Sequence, residues 1–241
     1  LAFVAAARGI PITLTMPETM SIERRKLLLA YGAKLVLTEG ARGMNGAVAR
    51  AEAIVASDPA KYVLLQQFRN PANPAIHERT TGPEIWDQTD GRIDHLVGGV
   101  GTGGTICGAA KYLKEKEPSV KAWGIDTYGS VFKKYKEQGI FDKHEIYPYV
   151  TEGIGEDFLP ANVDFSIIDH FEKVTDRNAA IYTREIALQE GIFGGNSAGS
   201  AMAGLIQLKD KFKAGETVVV IFHDHGTRYL GKMVHPDGMR A

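Results

Sequence analysis

The sequence predicts an α/β fold in which mostly parallel, twisted sheets carry helices on both faces. Two observations lead to this prediction. Short runs rich in apolar and β-branched residues alternate with longer runs of helical character along the 241 residues, and glycine-rich turns join several of these runs. A hydrophobic content of 44% and a charged content of 24% are typical of a globular protein.

The first part of the chain alternates short strands with helices. Residues 1–8 form an alanine-rich run that Gly9 ends, which predicts a helix without an N-terminal cap. Ser21 is placed to cap the first turn of a helix over residues 20–31. Alanines dominate a further helix over residues 46–56. The predicted strands here are 12–16, 33–38 and 62–65.

The second part repeats the alternation around one irregular stretch. Pro83 lies in the first turn of a helix over residues 81–88, where its missing N–H has no partner to lose. Residues 128–150 are rich in lysine and aromatic residues but show no period. We expect them to form an irregular excursion over the sheet edge with a solvated basic face. The remaining predicted elements are the strands 94–98, 121–126 and 217–222 and the helices 104–116, 175–189 and 200–212.

The most informative stretch is 98–105, Gly-Gly-Val-Gly-Thr-Gly-Gly-Thr, between a predicted strand and a predicted helix. Each glycine costs backbone entropy, so packing alone does not explain so many of them. They allow the backbone to turn sharply and to direct successive N–H groups toward one point. Thr102 and Thr105 add hydroxyl groups, and the following helix N-terminus adds a partial positive charge. These features predict a phosphate-binding turn.

Two classes of cofactor fit this turn. Residues 99–104 satisfy the dinucleotide pattern G-x-G-x-x-G, and Asp126 ends the next strand, where an acid could bind a ribose. This predicts an NAD-dependent oxidoreductase. However, the motif follows at least two strand–helix units, whereas a dinucleotide fingerprint normally opens its sheet. Two more glycine-rich turns, 152–160 and 190–201, favour a different cofactor that is contacted at several points.

Several motifs in order resemble the fold-type II pyridoxal-phosphate enzymes of the cysteine synthase and cystathionine β-synthase group. The resemblance extends from Leu1 to about Met233. It implies a tryptophan synthase β-like fold of two domains, with residues 1–59 in a smaller domain that moves over the substrate. Residues 60–241 would form a larger domain that binds pyridoxal 5′-phosphate. The segments that carry the resemblance are 66–74, 80–85, 101–105 and 195–199.

The resemblance also implies roles for individual residues. Ser197 would meet the pyridine nitrogen of the cofactor, and Gln67, with Gln66 as the alternative, would bind the substrate carboxylate. Glu152 and Gly153 would belong to the loop that closes over the amino-acid substrate. The residues implied to bind the cofactor phosphate are Gly101, Thr102, Gly103, Gly104 and Thr105.

Structural interpretations also apply to Ser197, to a pair of histidines and to the single cysteine. Ser197 is placed to cap a helix, with Gly191 ending the preceding one. His223 and His225 have the spacing of two zinc ligands, but no third ligand is evident, and we expect a polar loop without metal. The single cysteine, Cys107, excludes an internal disulfide and predicts a buried thiol in a reducing, cytoplasmic location.

Within this family the activity implied is β-replacement in sulfur amino-acid metabolism. The form Glu-Gly-Ile-Gly at 152–155 resembles cystathionine β-synthases, and it favours serine and homocysteine giving cystathionine as the first prediction. Residues 66–68, Gln-Gln-Phe, resemble cysteine synthases, so the synthesis of cysteine from O-acetylserine and sulfide is the alternative.

The resemblance places the family's cofactor-binding lysine, and the Ser-Gly-Asn-Thr-Gly loop that follows it, upstream of Leu1. We therefore expect none of the lysines of this chain to be catalytic, and we expect the chain to be an inactive fragment by itself. A fragment that only binds partners is a further hypothesis.

Charge and hydropathy limit the partners. With 28 basic and 29 acidic residues the net charge is −1, which favours neither nucleic acid nor an anionic membrane. No apolar run reaches the roughly 18 residues that cross a bilayer. The expected partners are small amino-acid and thiol substrates and a second copy of the chain, since family members are usually dimers.

Overall fold

The computed structural model describes residues 1–231. They form two compact units, Leu1–Gln66 together with the chain from Thr227, and Gln67–Gly226. All strand pairs in the described residues are parallel, which confirms the predicted α/β class. The assignment of residues 1–59 and 60–241 to two domains stays a prediction, and its last ten positions, 232–241, lie outside the described residues.

The described part of the first unit contains a two-stranded sheet and three α-helices. Ser21 caps its second helix as predicted, because its hydroxyl accepts from the N–H of Arg24 at 3.3 Å. The predicted strand over 62–65 is wrong, since these residues pair with no strand in the described chain and Val63 is 86% exposed. The elements are α1 (Ala2–Ala7), β1 (Thr13–Pro17), α2 (Ile22–Ala30), β2 (Lys34–Thr38) and α3 (Gly43–Ser57).

The second unit is built on a four-stranded parallel sheet. The strands are β3 (His95–Gly99), β4 (Lys121–Thr127), β5 (His170–Val174) and β6 (Val218–Val220). They lie in the order β5-β4-β3-β6, so β3 pairs with both β4 and β6. Strand β5 is absent from the predicted elements, and β6 is shorter than predicted.

Helices cover both faces of this sheet. Leu96 points into a core with Ile106 and Leu113, whereas Val97 points into a second core with Ile125 and Ala203, because successive strand residues face opposite sides. The helices are α4 (Ala72–Arg79), α5 (Thr81–Gln88), α6 (Gly104–Lys116), α7 (Phe132–Gln138), α8 (Asp176–Glu190) and α9 (Asn196–Gln207). Helix α6 belongs to the first core and α9 to the second.

The excursion after β4 differs from its prediction. It contains α7, and two of its lysines, Lys133 and Lys136, are bound to carbonyl groups rather than solvated, whereas Lys143 is exposed as predicted. Lys133 donates to the carbonyl of Phe171 at 2.9 Å, and Lys136 donates to that of Phe165 at 2.6 Å. The lysines therefore fasten the excursion to the sheet.

The helix boundaries near residue 197 test the capping role predicted for Ser197. Gly191 has a φ of +69° and ends α8, as predicted. Helix α9 begins at Asn196 with Gly195 at its cap, so Ser197 lies inside the first turn. The prediction that Ser197 caps this helix is wrong.

No helix among residues 1–231 combines the length and the apolar character that crossing a membrane requires.

Candidate functional site

The predicted site residues of the second unit lie at the carboxyl edge of its sheet. Residues 100–103 connect β3 to α6, and residues 221–225 follow β6. The carboxyl ends of parallel strands meet at one edge, where α/β proteins bind their ligands. The N–H of Gly155 donates to the carbonyl of Val100 at 2.7 Å, which brings the segment with Glu152 and Gly153 to the glycine turn.

The glycines of the turn are required by close backbone contacts. Gly103 has a φ of +84°, and a Cβ there would lie 2.7 Å from the carbonyl oxygen of Asn162. A Cβ on Gly101 would lie 2.6 Å from the carbonyl oxygen of Gly153. Since neither contact leaves room for a side chain, the turn keeps this shape only with glycine at both positions.

This turn presents unused hydrogen-bond donors. Within residues 1–231 the N–H groups of Gly101, Gly103 and Thr105 donate to no acceptor. The hydroxyl oxygen of Thr102 accepts from the side-chain amide of Asn73 at 3.0 Å and from the N–H of Gly104 at 3.3 Å, so its hydrogen is left to donate. Unused donors at a helix N-terminus suit an anion such as phosphate.

Gln67 contributes its main chain to the support of this turn. Its carbonyl oxygen accepts from the amides of Asn73 at 2.9 Å and Asn162 at 2.8 Å, while its side chain is exposed. The alternative residue, Gln66, has a φ of +44°, which is uncommon outside glycine. Asn73 and Asn162 have no predicted role, although both fix the backbone around the glycines.

Ser197 lies beside the loop that follows β6. It is 3% exposed in the first turn of α9, and the N–H of Gly195 donates to the carbonyl of Asp224 at 2.8 Å. The same loop reaches the end of β3, because a Cβ on Gly99 would lie 3.5 Å from the ring of His223. The fold thus brings Ser197 and the glycine turn to the same edge of the sheet.

Asn196, next to Ser197, is an unusual buried residue. Its side chain is fully buried, and within residues 1–231 neither its amide nitrogen nor its amide oxygen has a hydrogen-bond partner. An unpartnered buried amide is costly. Its position fits a site that a polar ligand completes.

The 149–157 segment, which contacts the glycine turn through Gly155, carries ionisable side chains with raised pKa values. Burial, with a contribution from the neighbouring Asp157, raises the pKa of Glu156 to about 8. Burial also raises the pKa of Tyr149. The N–H of Glu156 donates to the hydroxyl of Ser130 at 3.1 Å, which holds this segment against the loop after β4. A neutral carboxyl group therefore lies near the site at neutral pH.

The raised pKa of Glu156 makes stability depend on pH. An ordinary glutamate has a pKa of 4.5, so between about pH 4.5 and 8 the Glu156 carboxyl group binds fewer protons in the unfolded chain than in the folded one. Its contribution to the free energy of unfolding should then fall as pH rises through this window, by up to about 1.4 kcal/mol per pH unit. Glu156→Gln should remove this contribution, so the pH profiles of the variant and the wild type should diverge across the window in urea denaturation at several pH values.

The matched control for that experiment is Glu115→Gln, on an exposed position of α6. We expect it to keep the wild-type slope. A pH profile of Glu156→Gln that parallels the wild type would show that Glu156 ionises normally in the folded protein.

Asp126 is not positioned to bind a ribose, as the NAD hypothesis requires. Its carboxylate is fully buried and accepts from the N–H groups of Thr127 at 2.9 Å and Lys133 at 3.1 Å. It therefore binds its own loop and the start of α7 rather than facing a ribose. The hydrogen bonds of this carboxylate give it a structural role.

The remaining candidates are the single cysteine and the pair His223 and His225. Within residues 1–231 no group of three or more His, Cys, Asp or Glu side chains is arranged to hold a metal ion. Cys107 is buried, and its sulfur accepts from the N–H of Asp164 at 3.3 Å. Burial raises the pKa of this thiol to about 11, which keeps it protonated and unreactive.

Comparisons with known proteins agree with this geometry. A family described as "Pyridoxal-phosphate dependent enzyme" matches residues 1–224. Cysteine synthase A of Salmonella typhi is 48% identical over 238 residues, which cover 98% of this chain and 74% of that protein. Cysteine synthase of Haemophilus influenzae is 48% identical over 232 residues, covering 95% of this chain and 73% of that protein.

A solved structure shows the same fold. It is a mutant of O-ureido-L-serine synthase with O-ureido-L-serine bound, and it matches this chain with a TM-score of 0.87 at 35% identity. The match covers 95% of this chain and 69% of the other.

Proposed function

Because the chain belongs to the family of pyridoxal-phosphate-dependent enzymes, we propose that it serves β-replacement of the cysteine synthase type, forming cysteine from O-acetylserine and sulfide. The observation that carries the proposal is the glycine turn at a helix N-terminus, where three N–H groups and one hydroxyl hydrogen have no acceptor within residues 1–231. The cystathionine β-synthase type, predicted first from Glu152, is not supported, since the relatives named above are cysteine synthases and fit the alternative better.

We assign the cofactor phosphate to the glycine turn. Its N–H and hydroxyl groups match an acceptor-only phosphate, and Thr102 and Thr105 are partly exposed to a ligand. Ser197 is assigned to the pyridine nitrogen. When bound, the cofactor supplies an electron sink for negative charge at the α-carbon of the substrate. A hydroxyl partner holds the ring nitrogen less firmly protonated than a carboxylate would, which suits elimination at the β-carbon.

Substrate contacts are assigned to two other segments. Gln67 would bind the carboxylate of the amino-acid substrate, and Glu152 and Gly153 would cover it. Support comes from two contacts, the Gln67 carbonyl bound by Asn73 and the close approach of Gly153 to Gly101. A homodimer and a cytoplasmic location stay predictions from the sequence.

The test compares two reactions with the protein that contains this sequence. We expect O-acetylserine and sulfide to give cysteine, and serine and homocysteine to give cystathionine at least about tenfold more slowly, each product measured by mass spectrometry. A reaction without added pyridoxal phosphate, after its removal by dialysis against a carbonyl reagent, serves as the control.

Each other outcome identifies a different error. Faster formation of cystathionine would restore the first prediction. Activity that survives removal of pyridoxal phosphate, or tight retention of NAD by the purified protein, would overturn the proposed function.

A further inference from the structure

Helix α4 lies closely along the first turns of α6. A Cβ on Gly104 would lie 2.0 Å from the side-chain oxygen of Asn73, and a Cβ on Gly108 would lie 2.1 Å from the carbonyl oxygen of Pro74. The two missing side chains therefore let α4 approach the glycine turn. Asn73 and His77 are four residues apart on α4 and share the face that meets α6.

His77 joins two hydroxyl groups across this contact. Its Nε2 lies 3.3 Å from the hydroxyl oxygen of Thr105, the last residue of the phosphate-binding turn. Its Nδ1 lies 2.9 Å from the hydroxyl oxygen of Thr81, the first residue of α5. Asn73 makes the equivalent bond to Thr102, so α4 holds both hydroxyl groups of the turn.

The protonation of this ring follows from its surroundings. Burial lowers the pKa of His77, so at neutral pH the ring is neutral and carries a single N–H. A threonine hydroxyl has one hydrogen, and if Thr105 donates it to a phosphate, its oxygen can only accept from His77. The proton then lies on Nε2, and Nδ1 accepts from the hydroxyl of Thr81.

We propose that His77 is a positioning residue of the phosphate-binding turn, which donates from Nε2 to Thr105 and directs the hydroxyl hydrogen of Thr105 at the cofactor phosphate. Thr81 completes the arrangement by fixing the tautomer of His77. This inference rests on the proposed function, because it names the phosphate of pyridoxal phosphate as the acceptor.

The probe is pyridoxine 5′-phosphate, which lacks the aldehyde of the cofactor and binds without a covalent bond. Its dissociation constant is measured by calorimetry beside that of pyridoxine, which lacks the phosphate. We expect His77→Leu to weaken binding of pyridoxine 5′-phosphate about tenfold and to leave pyridoxine unchanged. His77→Gln, which keeps an N–H donor on a side chain of similar reach, should restore most of the affinity.

A double-mutant cycle separates positioning from general damage. Thr105→Val removes the hydroxyl group, so His77→Leu should weaken binding little further in that background. In the wild type, ¹⁵N NMR should show a neutral His77 with its proton on Nε2, and Thr81→Val should abolish the preference for this tautomer.

The outcomes are distinguishable. Equal losses for pyridoxine and its phosphate, additive effects of His77→Leu and Thr105→Val, or a proton on Nδ1 would overturn the role of His77. A wild-type protein that binds neither pyridoxine 5′-phosphate nor pyridoxal phosphate would instead overturn the proposed function.

Discussion

Gly103→Ala is expected to destabilise the second unit by about 2–4 kcal/mol and to abolish measurable binding of pyridoxine 5′-phosphate. The backbone at Gly103 has a φ of +84°, a conformation that strains any residue with a Cβ. An added Cβ would also lie 2.7 Å from the carbonyl oxygen of Asn162 and 2.8 Å from the Cα of Val163. Backbone atoms cannot rotate away as a side chain would, so the turn must change shape.

The unfolding of the second unit can be measured by tryptophan fluorescence. Both of them, Trp86 and Trp123, belong to the second unit, so their fluorescence during urea denaturation follows the unfolding of that unit. Gly139→Ala is the matched control, because its φ is +69° but an added Cβ meets no atom of residues 1–231 within 4 Å. It should cost about 1 kcal/mol and leave binding intact. Equal effects of the two variants would mean that strain alone, and not the contact with Asn162, requires Gly103.

Removing Lys173 is expected to destabilise the same unit by about 3–5 kcal/mol. This lysine is 7% exposed on β5, and its ammonium group donates to the carbonyl of Ser130 at 2.8 Å and to Glu145 at 2.5 Å. It also lies near the fully buried Asp126 and lowers the pKa of that carboxyl group, against a larger increase from burial. Lys173→Ala would leave the buried carbonyl of Ser130 and the buried carboxyl group of Asp126 without their cation, while the side chain of Glu145 is 31% exposed and can be hydrated.

Two control variants isolate the cause. Lys143→Ala changes an exposed lysine of the same excursion and should alter the free energy of unfolding by less than about 0.5 kcal/mol. Lys173→Met removes the charge but keeps the apolar stem, so its loss of unfolding free energy measures the effect of the charge. The additional loss in Lys173→Ala measures the packing of the stem. If Lys173→Ala unfolds at the wild-type urea concentration, the ion pair with Glu145 contributes no net stability.

Local sequence was sufficient where one physical requirement dominates. A glycine-rich turn between an apolar strand and a helix has few alternative explanations, and Gly101 and Gly103 lie where their missing side chains are needed. Capping is equally local, which is why Ser21 and Gly191 have the predicted roles. Both depend only on residues a few positions apart.

Several incorrect predictions concern features that depend on distant parts of the chain, whereas the cap assigned to Ser197 failed locally because α9 begins at Asn196. Helix α4 is absent from the predicted elements, because prolines such as Pro71 and Pro74 usually indicate a break in a helix. In the structure Pro71 precedes α4 and Pro74 lies in its first turn, where proline is tolerated. The excursion lysines were expected in solvent, whereas Lys133 and Lys136 reach carbonyl groups of the β5 strand and of the loop before it. The pattern of apolar residues in a sequence does not show which distant carbonyl group a lysine side chain will bind.

The sequence by itself therefore determined the α/β class, the glycine turn and the family, since each rests on local backbone chemistry and on motifs in a fixed order. Only the tertiary structure decided which side chains support that turn. His77 and Asn73 reach Thr105 and Thr102 because Gly104 and Gly108 allow two helices to touch, and Asp126 is buried because α7 folds over it. Such contacts join residues that are 7 to 29 positions apart, and their distances depend on packing that no local pattern records.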